Sequence, residues 1–404
     1  MKVMIATFAS RSHFYPMVPL AWALRSEGHD VRVVTQPSFL PVVAAAGLLC
    51  MAAGPDADLG TNWRATEVAP VAEEAWNNGE ERRARRAVGM FVLVAEAMAD
   101  DVLAISRNWE PDLVIFEPRA YAGQLAANVM GKPAVRHLWG TDYTIGRWDF
   151  ERAVVEPLFA KHGVRAVSPA GDLTVDPCPP PLQIAAAERR VIMRYVPYNG
   201  SGMLPALGPA ERPRVCVTWG TTSGKLMGGL EPVHEVLAAL AALDVQPVVA
   251  VLAEERELLG AVPPGVRVVE DAPLYLLLPH CDAVVHQGGA GTTITSLRCG
   301  TPQLIMPTIA DQFLHGERVA QLGAGLCAER RFATPEQVRK CVTALLADGS
   351  YRLRALEISA ESDRQPSPAA VAANLAANLA NLAAPAATPA ADPVASGPTT
   401  PSAS

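Results

Sequence analysis

Residues 2–34 read KVMIATFASRSHFYPMVPLAWALRSEGHDVRVV, and this stretch decides the fold class. Residues 2–8 are a short, mostly apolar run with strand character. Residues 9–14 are polar, and Pro16 sits where a first-turn proline belongs. Val18, Leu20, Ala21 and Leu24 follow at helical spacing, and Gly28 ends the helix at its C′ position. Val31-Arg32-Val33-Val34 is a second strand. Two strands joined through a helix pair in parallel, because a tight hairpin turn serves only antiparallel neighbours. The stretch therefore predicts an α/β protein with a parallel sheet.

Working outward, residues 112–116, after Pro111, read as another buried strand. The pattern breaks at Pro177-Cys178-Pro179-Pro180-Pro181, and residues 196–213 are rich in Pro and Gly, which places an interdomain linker there. A second α/β series follows. Its strands are predicted over 214–219, 245–252, 266–269, 282–286 and 303–306, with helices near 230–243, from Gly291, and over 312–321. The chain thus divides into a first Rossmann-like domain (1–195), a linker (196–213), a second Rossmann-like domain (214–365) and a C-terminal helix (366–383) carrying Leu375, Leu379 and Leu382. Residues 384–404 contain only Ala, Pro, Thr, Ser, Asp, Val and Gly and are expected to be disordered. Two such domains set their parallel sheets facing across a cleft, and ligands bind at the carboxyl ends of the strands.

Composition narrows the function. The 404 residues are 50% hydrophobic and 19% charged, as in a globular protein. A net charge of −7 with dispersed basic residues argues against nucleic-acid or membrane partners. Seven cysteines without a CxxC pair disfavour both a disulfide framework and a zinc site. The N-terminus enters a strand directly, and residues 39–55 are broken by Pro41, Gly47 and Gly54, so a cytoplasmic location is expected. Many of the 35 prolines crowd the interdomain segments and the last twenty or so residues.

The strongest chemical signal is Val284-Val285-His286-Gln287-Gly288-Gly289-Ala290-Gly291-Thr292-Thr293, a strand running through glycines into a helix. Such a turn brings backbone close to a ligand, and the helix N-terminus favours an anion, most simply a diphosphate. His286 is expected to aim a second donor at the same anion. A nicotinamide-dependent oxidoreductase competes for this motif, since Asp311 lies 20 residues beyond Gly291, but the third glycine position holds Ile294. Asp311-Gln312 after the 303–306 strand offers acceptors and donors for sugar hydroxyls, and Asp311 equally fits a helix N-cap. His13, after the first strand, holds the crevice position of a general base, with Glu117 placed to orient it. Lone solvated side chains are the plainer reading of both. His29 lies at the opposite sheet edge and reads as structural. Asp56-Ala57-Asp58 has no strand leading into it and is discounted as a metal pair, and no other cluster has metal spacing. Neither a GxSxG elbow nor a GxxxxGK[ST] loop is present.

With these residues in view, the chain resembles the nucleotide-sugar glycosyltransferases of the GT-B fold. More narrowly it resembles the actinobacterial enzymes that glycosylate polyketides, rhamnosyl- and desosaminyltransferases among them. The resemblance spans about residues 1–380. It rests on His13-Phe14-Tyr15-Pro16, Trp139-Gly140-Thr141-Asp142, Asp176-Pro177-Cys178-Pro179-Pro180, Tyr195-Val196-Pro197-Tyr198-Asn199-Gly200, and His286 through Thr292 with Asp311-Gln312. It implies that His13 deprotonates the acceptor hydroxyl and that Glu117, where relatives often carry Asp, orients it. Phe14, Trp139 and Asp142 would contact the acceptor. Thr221, Thr222, His286, Gly289, Gly291 and Thr292 would hold the diphosphate, and Asp311 and Gln312 the sugar. Ala272 and Leu274 would flank the nucleobase, with Asp271 where many relatives carry Trp.

The activity so implied is inverting transfer of a deoxysugar from a dTDP-sugar to a hydroxyl of a polyketide aglycone, without cofactor or metal. A catalytically inactive binding protein of the same fold is the alternative from another class, and the retained His13 and Asp311-Gln312 argue against it. The partners to look for are the nucleotide-sugar donor, an apolar aglycone, a second copy of the chain as a homodimer, and an activator protein of the kind some relatives need. The charge run at residues 80–86 reads as an ordinary solvated helix face.

Overall fold

The first sheet is built from β1 Lys2–Ala6, β2 Asp30–Thr35, β3 Leu49–Ala52, β4 Leu113–Phe116, β5 Ala134–His137, β6 Leu173–Asp176 and β7 Arg190–Ile192. The second contains β8 Arg214–Thr218, β9 Gln246–Val251, β10 Arg267–Glu270, β11 Ala283–His286, β12 Gln303–Ile305 and β13 Gly325–Cys327. In this computed structural model, described over residues 1–57, 79–184, 187, 189–203, 206–220, 229–309 and 311–382, all strands pair in parallel. The strand orders are β3-β2-β1-β4-β5-β6-β7 and β10-β9-β8-β11-β12-β13. Each sheet changes direction of winding once, between β1 and β4 and between β8 and β11. Those switch points are where an open parallel sheet leaves a crevice beyond its carboxyl ends.

The apolar strand centres explain the burial. Residues of β4, β11 and β12 are buried throughout, as expected where helices cover both faces of a parallel sheet. The helices Val18–Ser26 and Tyr121–Met130 pack on the first sheet, and Glu231–Leu240 and Pro335–Ala347 on the second. Tyr121–Met130 ends at Gly131 in the left-handed conformation (φ 62°), which only glycine adopts without strain. Helix Ser350–Asp363 lies against Ala290–Arg298 in the second half, but Pro368–Ala377 crosses back onto helix Val18–Ser26. Val371, Ala372, Leu375 and Leu382 are buried in the first half's core. The apolar stripe expected in the C-terminal helix thus serves the other half of the molecule. The stretch 384–404 lies outside the described residues.

The two halves touch through specific contacts. Asn199 donates to Thr295 Oγ1 at 3.2 Å and accepts from the Tyr275 N–H at 3.0 Å. Arg11 pairs with Glu254 at 2.9 Å. A Cβ placed on Gly140 would lie 2.7 Å from that of Ala290, so the 140 loop seats directly on the start of the Ala290–Arg298 helix. Among the described residues, no helix is long and apolar enough to cross a membrane.

Candidate active site

After β1 the chain makes a short helical turn, Arg11–Phe14, that carries His13 over the first switch point, and Glu117 follows β4 directly. His13 Nδ1 lies 2.9 Å from Glu117 Oε2. The carboxylate is fully buried, whereas the His13 side chain is 15% exposed. Glu117 Oε2 also accepts from the Arg119 N–H at 2.8 Å, and Oε1 is buried without a partner among the described residues. A carboxylate only accepts, so Nδ1 carries the proton and Nε2 presents its lone pair. Nε2 has no hydrogen-bond partner among the described residues. The ring is walled by Trp139 at 4.1 Å between centroids, Phe8 at 4.7 Å and Phe91 at 6.2 Å. Arg119, forked onto Glu151 at 2.7 and 2.9 Å, fixes the backbone that meets Glu117. The arrangement is that of an oriented general base beside an apolar wall.

Across the Gly140–Ala290 contact, β11 runs into Gln287-Gly288-Gly289 and helix Ala290–Arg298. Gly288 has φ 94°, and a Cβ there would lie 2.7 Å from Ile305 Cγ2. Gly289 precedes the helix without a capping side chain, and the first helical bond is Thr293 N–H to Gly289 C=O. The N–H groups of Ala290, Gly291 and Thr292 therefore lack helix partners. Open space lies where a Gly291 Cβ would point. An anion fits this helix end.

Three sequence expectations are corrected. His286 is fully buried with both nitrogens engaged: Nδ1 accepts from Gly288 N–H at 3.0 Å, and Nε2 donates to Gln303 Oε1 at 2.9 Å. Burial pushes its pKa down to about 4, so it is neutral near pH 7 and has no donor left for an anion. Phe14 is fully buried in the first core, one position from His13 but on the opposite side of the turn. Asp142 is buried against Arg136, at 2.5 Å, and Thr144, and so organises the loop instead of meeting an acceptor.

The remaining expected residues are placed as follows. Trp139 stands beside His13 as described. Asp311 occupies the N-cap position of helix Gln312–Gln321 without a side-chain capping bond. Burial raises the pKa of the Tyr143 phenol, with the neighbouring Arg119 opposing the rise and the Asp311 charge adding to it. Gln312 Oε1 accepts from Thr308 N–H and Oγ1, both at 3.0 Å, and Ile309 N–H at 3.2 Å, so it pins the loop before the helix. The Ala272 and Leu274 side chains pack on the second half's core, with Leu274 opening a short helical turn. Asp56 accepts from the Ser38 N–H at 2.7 Å, His29 contacts the N-terminal amine, and all seven cysteines are free. Thr221, Thr222, Asp58 and the negative end of the 80–86 charge run lie outside what the structure describes of side chains. Sequence reading missed Phe8, Phe91, Arg119 and His315, and it named Thr141 within a motif without giving it a role. His315, one helical turn after Asp311, carried a positional signal.

The family described as "Erythromycin biosynthesis protein CIII-like" is matched by its N-terminal domain over residues 22–220 and by its C-terminal domain over 234–378. The chain belongs to this EryCIII-like family of GT-B glycosyltransferases. An L-demethylnoviosyl transferase of Streptomyces niveus is 36% identical to this glycosyltransferase, over 93% of this chain and 97% of the relative. Tylactone mycaminosyltransferase of Streptomyces fradiae is 33% identical over 93% and 92%. The spinosyn rhamnosyltransferase SpnG, solved with thymidine diphosphate and with spinosyn aglycone, superposes with a TM-score of 0.81 at 30% identity, covering 93% of this chain and 100% of its own. Sugar transfer is accordingly the activity of this EryCIII-like protein, and its two parallel sheets are the two halves of the GT-B fold.

Proposed function

We propose that this glycosyltransferase moves a deoxysugar from a dTDP-sugar to a hydroxyl of a polyketide aglycone, with inversion and without a metal. The observation that carries this reading is the His13–Glu117 pair, 2.9 Å apart, standing across the Gly140–Ala290 contact from an uncapped helix N-terminus. The named relatives are a mycaminosyltransferase acting on tylactone, a demethylnoviosyl transferase and the rhamnosyltransferase SpnG, and SpnG was solved with thymidine diphosphate, which supports the donor and acceptor classes. Residues 1–195 form the acceptor domain, 196–213 the linker, 214–365 the donor domain, and 366–383 the returning helix.

His13 Nε2 accepts the proton of the acceptor hydroxyl while Glu117 stabilises the ring's positive charge. The acceptor oxygen forms its bond to the anomeric carbon as the bond to the diphosphate oxygen breaks on the opposite face, and dTDP leaves. Attack in line with the leaving group inverts that carbon. The N–H groups of Gly291 and Thr292, the approach allowed by Gly289, and Thr221 and Thr222, which follow β8 in the sequence, hold the diphosphate, with the helix dipole opposing its negative charge. Asp311 accepts from sugar hydroxyls over the loop that Gln312 braces. Backbone at Ala272 and Leu274 flanks the base, and Trp139 lines the acceptor side.

A thermal-shift comparison of dTDP, UDP and NAD tests the donor class, because a ligand of the folded state raises the unfolding midpoint. The midpoint should rise most with dTDP. A larger rise with NAD would return the oxidoreductase reading.

A further inference from the structure

Gly288 is held from both sides by histidines. Its N–H donates to His286 Nδ1 at 3.0 Å, and its C=O accepts from His315 Nδ1 at 2.8 Å. A carbonyl only accepts, so the His315 proton sits on Nδ1, and Nε2 is free to accept from the Thr141 hydroxyl at 3.0 Å. His315 belongs to the second half, in helix Gln312–Gln321, whereas Thr141 belongs to the first half, two residues beyond the Trp139 ring that lies on His13. Both partners are buried, His315 at 0% and Thr141 at 4% exposure. Gly140, between Trp139 and Thr141, has no room for a side chain against Ala290. One imidazole therefore joins the glycine turn of the donor half to the loop that walls the base in the acceptor half.

We infer that His315 is a positioning residue that orients the diphosphate-binding turn through the Gly288 carbonyl and sets it in register with the acceptor half through Thr141. The inference rests on the donor reading above. The physical reason is direct. Rotation of the Gly288–Gly289 peptide would swing the N–H groups that follow it, and His286 and His315 together oppose that rotation at both ends of Gly288. Loss of the Thr141 hydroxyl leaves a buried Nε2 unpaired and removes the contact that holds the ring, and with it the Nδ1–H donor to Gly288, in register with the acceptor half.

The test is calorimetric titration of the full chain with dTDP and, separately, with thymidine, which lacks the phosphates. His315→Ala should weaken dTDP binding about tenfold and Thr141→Val about threefold to tenfold, with thymidine unaffected in both. The double variant should bind dTDP no more weakly than His315→Ala alone, because both changes break one connected unit. His315→Asn, whose amide nitrogen takes the place of Nδ1, should recover most of the loss. A purely structural role would lower dTDP and thymidine affinity together, and that result, additive single effects, or an unchanged His315→Ala would overturn the inference. If His315→Ala does not fold, Thr141→Val decides on the same criterion. A wild-type protein that does not bind dTDP overturns the donor reading itself, which is a separate outcome.

Discussion

At His13 the nitrogen proposed to react is selected by its neighbour: Nδ1–H donates to Glu117 Oε2, which leaves the Nε2 lone pair free to act as the base. His13→Ala should therefore lower transfer by about 10²–10⁴-fold while leaving dTDP affinity unchanged, measured by steady-state turnover beside calorimetry. Glu117→Gln should lose a large part of the same factor, since an amide also stabilises the wrong tautomer. The buried histidines make a second prediction. Burial lowers both His137 and His286 to about 4, against an ordinary value of 6.5. Between those values the unfolded chain binds protons that the folded one does not. Stability is thus full above about pH 6.5 and falls as the pH drops toward 4, by up to about 3 kcal/mol per ring. Denaturant titrations across that range should show the slope, and His286→Gln should reduce it. The juxtaposition of His13 and Glu117 was legible because both follow strands that flank a switch point. Phe14 and His286 were misread for two physical reasons. Adjacency in a motif does not fix direction, and a central parallel strand buries both faces, so the last residue of β11 points into protein.

At the scale of elements, the proposed mechanism gives the glycine turn and the helix it opens the task of neutralising the leaving diphosphate, which a divalent cation would otherwise perform. Transfer should be unchanged by EDTA, and a rate abolished by EDTA and restored by Mn²⁺ would contradict this part of the mechanism. Gly288→Ala should cost about 1–3 kcal/mol of stability and weaken dTDP binding, since φ 94° and the Ile305 methyl both oppose a side chain. Denaturation and nucleotide titration of that variant check both. The helices Val18–Ser26, Glu231–Leu240, Ala290–Arg298, Gln312–Gln321 and Pro368–Ala377 and the longer strands were legible from apolar periodicity and glycine stops, whereas Tyr121–Met130, Trp148–Ala160, Pro335–Ala347 and Ser350–Asp363 went unread. The strands β3, β5, β6, β7 and β13 went unread; β5, β6 and β7 each carry a charged residue (Arg136, Asp176, Arg190) that breaks the apolar run by which β4, β11 and β12 were read.

For the whole molecule, the halves are tied by Asn199, the Arg11–Glu254 pair, the Thr141–His315 bond and the C-terminal helix that returns to the first core. Truncation after residue 366 strips Val371 and Leu375 from that core, at about 1.5–3 kcal/mol each, and should lower the unfolding midpoint sharply. Truncation after residue 383, which removes only the Ala/Pro-rich stretch, should leave it unchanged. Two α/β halves followed from length and pattern. The exchange of a helix between them did not, because an amphipathic stripe does not name its partner.

The measurement that bears most directly on the account is mass spectrometry of polyketide aglycones incubated with a dTDP-deoxysugar and either wild-type protein or His13→Ala. The wild type should add the mass of one deoxysugar and release dTDP, and His13→Ala should bind dTDP yet form almost no product. Equal product from both proteins would contradict the assignment of the base and, with it, the mechanism.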